Sequence, residues 1–335
     1  MRRLLLMLCL LPALLTACTG TTEDAVVIRL AVLSGTGASA SLRAVDVGQS
    51  AGAPSVNVPG AVDIETLPGG SSLAVLYGDH LETRDVNLGN PVVRANPGGA
   101  SFKPCYVKLE ASVARDRLAA LSDCGGGALQ QVVVWRSDGS LALSATLPAP
   151  TPSTPLQTRI AVQGDTVWVV HPAVGAGSEL IIVTRNSDGS SSLSTPVATP
   201  LINDLAFFKG AVYAATDTGV KTLSASGVLT ALPSTTQLGV SSTRLYTDDR
   251  LLGSWQDTPS APLLIWNGAV TGVPAYFGDL RDLTYAPDGT LYTLSSGTLT
   301  QFDSAYGLAG SGWRNRELAT FSDPRAVTWL IPLGP

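Results

Sequence analysis

Histidine and clustered positive charge are scarce in this chain of 335 residues. It contains 2 histidines, and charged residues make up 14% of the sequence. His80 and His171 lie far apart, and neither has another metal ligand near it in a recognised spacing. This argues against a catalytic metal cluster and against a Ser-His-Asp triad. No basic cluster follows Arg3, so a nucleic-acid-binding surface, which needs clustered lysine and arginine, is not expected.

Long apolar runs and helical periodicity are also missing. After Cys18, no apolar run approaches the roughly 20 residues that a membrane-spanning helix requires. Gly-rich stretches such as residues 125–127 lack the lysine and the following helix of a phosphate-binding loop. The sequence therefore predicts no transmembrane helix beyond Cys18 and no bound cofactor.

The amino-terminal segment carries the clearest signature. Arg2 and Arg3 precede an apolar run over residues 4–15, and small residues follow, which is the pattern of an export signal. Leu15-Thr-Ala-Cys18 resembles the lipobox of bacterial lipoprotein precursors. This resemblance implies that residues 1–17 are a signal peptide and that residues 18–25 form a lipidated tether. It also implies that Cys18 is the acylated mature amino terminus, carrying palmitate or similar chains. An ordinary signal peptide with an incidental cysteine is the alternative.

The expected location is therefore the extracytoplasmic side of the cell envelope, with the membrane reached through the lipid on Cys18. Thr19, rather than aspartate, follows that cysteine, which is compatible with an outer membrane in a bacterium that has one. About seven residues separate Cys18 from the first predicted strand, and they span at most roughly 25 Å when extended. We expect the domain to lie close to a bilayer.

Two of the 4 cysteines remain for pairing within the exported domain. Cys9 leaves with the signal peptide and Cys18 carries the lipid, which leaves Cys105 and Cys124. An even pair in an exported chain is expected to form a disulfide. A zinc site is the weaker alternative, because no histidine lies near either cysteine.

The remaining sequence predicts an all-β fold, because short apolar or alternating runs recur between Gly, Pro, Asp and Ser turns. A first-strand pattern repeats every 35 to 52 residues or so, each time followed by a turn and further strands. The predicted first strands are residues 62–67, 107–112, 159–163, 204–208, 238–242, 281–285 and 325–330. Four short strands on a period near 40 residues are typical of β-propeller blades.

Both ends of the chain contribute to one predicted blade. Residues 325–330 begin a blade that has no sequence left to finish it, whereas residues 26–33, 40–47 and 54–58 lack a first strand. Pairing them closes the ring and removes its open edges. We therefore predict a single propeller over residues 26–335, most simply of seven four-stranded blades. Six or eight blades remain open, since residues 128–160 and 303–325 are irregular.

Two segments carry a resemblance to known propellers. Residues 211–219 (AVYAATDTG) and 290–297 (TLYTLSSG) resemble repeats of the quinoprotein-like, NHL-like and YVTN-like superfamily. The resemblance implies a rigid ring whose loops on one face bind ligands or partners. The 6 tryptophans do not recur at one place in the blades, so a bound pyrroloquinoline quinone is not expected.

Loops between predicted second and third strands supply a candidate binding face. Its residues are His80, Asp123, His171, Trp255 and Asp257. The alternative is that these loops are solvated turns that the backbone requires.

The function predicted from this pattern is a non-catalytic protein-binding or scaffolding module at the bacterial cell envelope. Its expected partner is another envelope protein, and the sequence identifies no small-molecule ligand and no catalytic residue. The alternative is an envelope enzyme, an oxidoreductase or a carbohydrate-active lyase or hydrolase, with its site at the propeller mouth. Asp79, Asp123 and Asp257 would be its carboxylates, and their separation would decide whether glycoside chemistry is possible.

Overall fold

The computed structural model describes residues 27–48, 53–98, 102–125, 128–148, 157–173 and 177–332. The predicted signal peptide, Cys18 and the tether lie outside the described residues, and their roles stay predictions. Within these described ranges, no helix is long and apolar enough to cross a bilayer.

The fold is a seven-bladed β-propeller, as the repeat predicts. Blade 1 contains β4 (Ala61–Thr66), β5 (Ser72–Tyr77), β6 (Leu81–Asp85) and β7 (Val92–Arg94). Blade 2 contains β8 (Tyr106–Ala111), β9 (Arg117–Ser122), β10 (Gln131–Arg136) and β11 (Leu141–Thr146). Blade 3 contains β12 (Arg159–Gln163), β13 (Thr166–Pro172), β14 (Gly177–Arg185), and two short strands that both pair with β14, β15 (Ser191–Leu193) and β16 (Val197–Pro200).

The next three blades follow the same antiparallel order. Blade 4 contains β17 (Asp204–Phe208), β18 (Ala211–Thr216), β19 (Gly219–Leu223) and β20 (Leu229–Ala231). Blade 5 contains β21 (Arg244–Thr247), β22 (Leu252–Trp255), β24 (Leu264–Trp266) and β25 (Thr271–Gly272). Blade 6 contains β27 (Leu280–Tyr285), β28 (Thr290–Ser295), β29 (Thr298–Asp303) and β30 (Asn315–Thr320), with the helix α1 (Ser304–Leu308) between its last two strands.

Strands from both ends of the chain form the seventh blade, which confirms the predicted ring closure. The composite blade has the order β3 (Ser55–Asn57), β2 (Ser41–Asp46), β1 (Arg29–Ser34) and β31 (Pro324–Leu330). β1 and β31 are antiparallel, and Arg29 lies opposite Leu330. The carboxy-terminal strand β31 is therefore the first, innermost strand of this blade.

Blade 5 departs from the repeat in two ways. Its first strand is β21, which begins six residues after the start of the predicted segment 238–242. The prediction of a strand at 238–242 is wrong, because these residues form no strand. The carbonyl of Leu238 instead accepts a hydrogen bond from the Val220 N–H at 2.9 Å, so this segment covers the edge of blade 4. Blade 5 also carries an extra two-stranded ribbon, β23 (Ala261–Pro262) paired with β26 (Tyr276–Phe277).

The core consists of apolar layers between neighbouring blades. Among the described residues, buried apolar side chains form seven clusters, and each cluster joins two adjacent blades. Because both faces of most blades are covered, the middle strands are apolar on both sides, as in β5 with its run from Leu73 to Tyr77. Sheet-on-sheet packing of this kind makes the ring a rigid scaffold for its loops.

The direction of the strands divides the molecule into two faces. We call one the mouth face: it carries the loops between second and third strands and the connections from each blade to the next. The other, the base face, carries the turns between first and second and between third and fourth strands. The Asp-Gly turns at residues 138–139 and 188–189 lie on the base face, between third and fourth strands.

Candidate functional site at the mouth of the channel

One position recurs in the first strand of every blade and forms a ring around the channel. Its residue lies opposite the fifth residue of the neighbouring second strand, for example Asp63 opposite Leu76; in blade 5, whose second strand has four residues, Arg244 lies opposite the fourth, Trp255. The ring residues are Asp63, Lys108, Arg159, Asp204, Arg244, Asp282 and Ala326. In blades 1, 2, 6 and the composite blade, a shift in strand register directly precedes the ring residue. Such bulges re-aim a side chain at the rim of a closed structure.

Three aspartates of the ring tie neighbouring blades together. The Asp63 carboxylate accepts hydrogen bonds from its own strand at Ile64 N–H (3.0 Å) and from blade 2 at Leu109 N–H (3.1 Å). Asp204 does the same between blades 4 and 5, and Asp282 accepts from Val327 of the composite blade at 2.8 Å. These carboxylates are occupied by backbone donors, which explains why acidic residues stand at this position.

Basic ring residues follow the aspartates around the channel. Lys108 Nζ lies 3.4 Å from Asp63 and 3.2 Å from Glu110. Burial alone would lower the pKa of Lys108, but the carboxylates of Asp63 and Glu110 outweigh it and raise that pKa. Lys108 is therefore a permanent positive charge on the ring.

Below the ring, towards the base face, the channel narrows to a cavity of about 80 Å³. Glu65 and Arg115 pair across it at 3.0 Å. Burial raises the pKa of Glu110 to about 8 and that of Asp282 to about 7, against the partial opposing effect of Lys108. The side chain of Glu110 is 31% exposed, but because Glu110 lines this cavity we take that surface to face the channel rather than bulk water. Near neutral pH Glu110 is mostly protonated and Asp282 is partly protonated, whereas ordinary carboxyl groups are ionised.

A wider cavity of about 400 Å³ opens at the mouth face between blades 5, 6 and the composite blade. Its lining residues are Arg244, Gln256, Asp257, Thr258, Gly278, Asp279, Leu280, Arg281 and Arg325. We call it the mouth cavity. Arg244 pairs with Asp257 at 2.9 Å, and Arg281 pairs with Asp279 at 2.9 Å. The third guanidinium, that of Arg325, has no ion-pair partner among the described residues and donates only to two carbonyl oxygens, each at 3.4 Å.

The ribbon of blade 5 stands beside the mouth cavity. Its two strands lie between the lining residues Thr258 and Gly278, and the Pro262–Tyr276 pair is at the far end of the ribbon. Tyr276 is 70% exposed, whereas the ring of Phe277 packs edge-on against Phe302 at 6.4 Å. The ribbon therefore presents the side chain of Tyr276 to solvent, whereas Phe277 packs against blade 6.

The five sequence-predicted face residues all lie on or next to loops between second and third strands, but their side chains differ in environment. His80 stacks on Tyr77 with ring centroids 4.4 Å apart and contacts Asp79 at 2.6 Å. Asp123 accepts hydrogen bonds from Gly125 N–H and from the Gln130 side chain. Their role as a binding face stays a prediction.

His171 and Trp255 are buried side chains, with exposures of 1% and 6%. Burial lowers the pKa of His171 to about 4, so its imidazole is neutral at physiological pH. Asp257 is the one member of the predicted set that lines the mouth cavity. Sequence reasoning did not identify the three arginines there. For Arg281 and Arg325 a signal was present, because the predicted first strands at residues 281–285 and 325–330 both begin with arginine.

The disulfide between Cys105 and Cys124 is present, as predicted, and lies on the mouth face. Cys105 directly precedes β8, and Cys124 follows β9. The bond therefore joins the start of the first strand of blade 2 to the loop between its second and third strands. Among the described residues, no group of three or more His, Cys, Asp and Glu side chains is placed to hold a metal ion.

Comparison with known proteins identifies the fold. No protein-family model matches the chain. No curated protein matches it either. AztD from Citrobacter koseri is 10% identical, with a TM-score of 0.54, covering 92% of this chain and 99% of that one. A candidate 6-phosphogluconolactonase from Bacteroides uniformis is 14% identical, with a TM-score of 0.60, covering 91% and 99%.

A third solved structure names the architecture. The β-propeller domain of the Trilobed protease from Pyrococcus furiosus is 10% identical, with a TM-score of 0.57, covering 89% of this chain and 96% of that one. That domain has an open velcro topology, whereas pairing of β1 with β31 closes the ring here. At these identities the likeness establishes the fold alone. The chain is a seven-bladed, four-stranded β-propeller.

Proposed function

We propose that this protein is a lipid-anchored, extracytoplasmic propeller that binds another protein of the bacterial cell envelope through its mouth face and catalyses no reaction. The observation that supports this most directly is the mouth cavity, which three blades build with side chains that have binding rather than catalytic chemistry. In repeat proteins, insertions into single repeats collect on one face, which is often the binding face. The ribbon of blade 5 is such an insertion, and it borders the cavity.

The channel itself offers little room for a substrate. Its lower cavity of about 80 Å³ is several times smaller than the mouth cavity of about 400 Å³. The ring aspartates accept backbone hydrogen bonds and serve as ties between blades. A ligand of any size therefore fits at the mouth rather than inside the ring.

The enzyme alternative has less support. Asp79, Asp123 and Asp257 belong to loops of three different blades. Each carboxylate already has its own partner, namely His80, Gln130 and Arg244 respectively. Engaged in these contacts, they are poorly prepared to act as a general acid and base pair.

The orientation of the ring fits an anchored binding module. β1 starts at the base face, where Arg29 contacts Asn87 in the turn between β6 and β7. A tether that precedes β1 would leave from that face, so the mouth face would point away from the membrane. In this arrangement a neighbouring envelope protein can reach the mouth without competition from lipid.

Two experiments test the proposal. The anchor is tested with Cys18→Ala in the natural bacterium: we expect the protein to move from the membrane fraction to the soluble extracytoplasmic fraction. An unchanged membrane fraction would contradict lipid anchoring through this residue.

Binding is tested by site-specific photo-crosslinking in intact cells. A photoreactive amino acid at Thr258, which lines the mouth cavity, should form a discrete adduct with one envelope protein. The same amino acid at Asp188, an exposed base-face turn residue, is the matched control and should not. Equal labelling from both positions, or none from Thr258, would contradict binding through the mouth face.

A further inference from the structure

Three guanidinium groups from three adjacent blades converge on the mouth cavity, and only two of them have a carboxylate. Arg244 and Arg281 are paired with Asp257 and Asp279. Arg325 is half-buried, and its contacts to the carbonyl oxygens of Gly35 and Ala61 are at the long limit of a hydrogen bond. Its planar fork of about five N–H donors is therefore largely available to a ligand.

The carboxylates that line this cavity do not cancel that charge. Asp257 and Asp279 each pair with an arginine, so two of the three guanidinium charges are balanced. What remains at the mouth cavity is one uncompensated positive charge, on Arg325.

From these observations we propose that the mouth cavity binds a single carboxylate of an acidic peptide segment, with Arg325 as its main contact; this rests on the proposed protein-binding function and names the chemistry of the partner. Arginine recognises a carboxylate with two parallel hydrogen bonds. A cavity of about 400 Å³ lies in the size range of specific ligand sites and accommodates one or two side chains.

The cavity favours a carboxylate over a phosphate. Asp257 and Asp279 also line it, and they repel a dianion more strongly than a monoanion. One uncompensated guanidinium matches one carboxylate charge. A phosphomonoester would place up to two negative charges beside these aspartates.

The ribbon favours a peptide over a free small acid. Tyr276, 70% exposed, lies two residues before Gly278 of the cavity lining. Tyrosine and arginine are both enriched at protein interfaces. A peptide whose acidic side chain enters the cavity would lay its neighbouring residues across this ring.

The experiment measures fluorescence anisotropy of a labelled octapeptide of alternating glutamate and glycine with the full folded domain at low salt. We expect saturable binding that Arg325→Gln weakens at least tenfold and that Arg325→Lys weakens less. Arg316→Gln, which removes an exposed charge from the outer strand of blade 6, is the matched control and should have no effect. Tyr276→Ser should weaken binding about threefold.

Two further probes separate the ligand classes. The matched glutamine and glycine octapeptide should not bind, and inorganic phosphate should compete only weakly. Tighter binding of phosphate than of the acidic peptide, or equal loss in Arg316→Gln and Arg325→Gln, would overturn the proposal. If Arg325→Gln fails to fold by thermal melting, Arg281→Gln replaces it with the same expected direction.

The outcomes also separate this inference from the proposed function. A crosslinked partner at Thr258 without any binding of the acidic peptide would overturn the carboxylate site and leave the binding function standing. Peptide binding that depends on Arg325, without a crosslinked partner, would support the site and overturn protein binding in the cell.

Discussion

At the scale of single residues, the most unusual environment belongs to Glu110. Burial beside the channel cavity raises its pKa to about 8, from an ordinary value of 4.5. Between those two pH values the folded protein keeps a proton that the unfolded chain releases. The stabilisation that this group contributes is therefore present below pH 4.5 and is lost as the pH rises through about 8.

Glu110→Gln tests this directly, because glutamine imitates the protonated carboxyl group. We expect the variant and the wild type to melt at similar temperatures at pH 5, and the variant to gain stability relative to the wild type at pH 9. Thermal melts across this range supply the measurement. Glu317→Gln, an exposed carboxylate in β30, is the control. If the difference in melting temperature between the wild type and Glu110→Gln does not change with pH, Glu110 is not protonated in the folded state.

For single residues, the sequence does not predict whether a side chain points to solvent or to the core. The position of His171 and Trp255 in the repeat correctly indicates which end of the blade they occupy. Because successive side chains of a strand point to opposite faces, one residue of register decides between solvent and core. Both side chains turn inwards, with exposures of 1% and 6%.

At the scale of elements, the first strands of neighbouring blades depend on the aspartate ties. Asp204 joins β17 to β21 through the N–H groups of Leu205 and Leu245, both at 3.0 Å. Asp204→Ala should lower the free energy of unfolding by roughly 2–4 kcal/mol, because it leaves two backbone donors without a partner. Asp204→Asn should cost less, since the amide oxygen still accepts.

Urea denaturation compares these variants. Asp188→Ala removes a carboxylate that only shapes an exposed turn, so its effect is expected to stay within about 1 kcal/mol. Equal losses in Asp188→Ala and Asp204→Ala would show that the ties between blades do not contribute to stability.

The disulfide supplies a second element-scale prediction. Replacing both Cys105 and Cys124 with serine should lower the free energy of unfolding by about 3 kcal/mol, from the entropy of opening a loop of about 20 residues. Chemical denaturation measures the loss, and reduction of the wild-type protein should reproduce it. If the double variant is as stable as the oxidised protein, the bond has no net stabilising effect.

Elements that follow the repeat could be predicted from the sequence, and those that leave it could not. The turn Lys209-Gly210 shows the sequence signal, a glycine between two apolar strands; both of its residues adopt positive φ, 45° and 80°, as a two-residue hairpin turn demands. The start of β21 was misplaced because 238–242 has the same apolar spacing as a strand. The ribbon of blade 5 has no signal of its own, since each of its strands has only two residues.

At the scale of the whole molecule, ring closure depends on β31. This strand pairs with β1 from Arg29 to Ser34, and its Trp329 packs in the layer between blade 6 and the composite blade. A chain that ends at Phe321 leaves β1 with an unpaired inner edge and opens the channel. We expect it to lose its cooperative thermal transition.

A synthetic peptide of residues 322–332 should restore that transition when it is added to the shortened chain. The same peptide with Trp329→Ala, which removes the large apolar side chain, should restore it much less. Calorimetry with and without each peptide is the measurement. A shortened chain that melts like the full protein would show that the other six blades hold the ring closed by themselves.

The convergence of the mouth arginines is likewise a property of the whole molecule. Arg244, Arg281 and Arg325 are separated along the chain by tens of residues and come together only because the ring brings blades 5, 6 and the composite blade side by side. A repeat pattern predicts equivalent positions within blades. Which of those positions share a cavity depends on the closed geometry.

The pairing of β1 with β31 also determines when the molecule can finish folding. In chain order β31 follows every other strand, yet it is the innermost strand of the blade that β1 to β3 began. The inner edge of β1 therefore stays without its backbone hydrogen bonds until β31 can pair with it. For a chain that we propose is exported, such a late closing step delays the native ring until β31 has crossed the membrane.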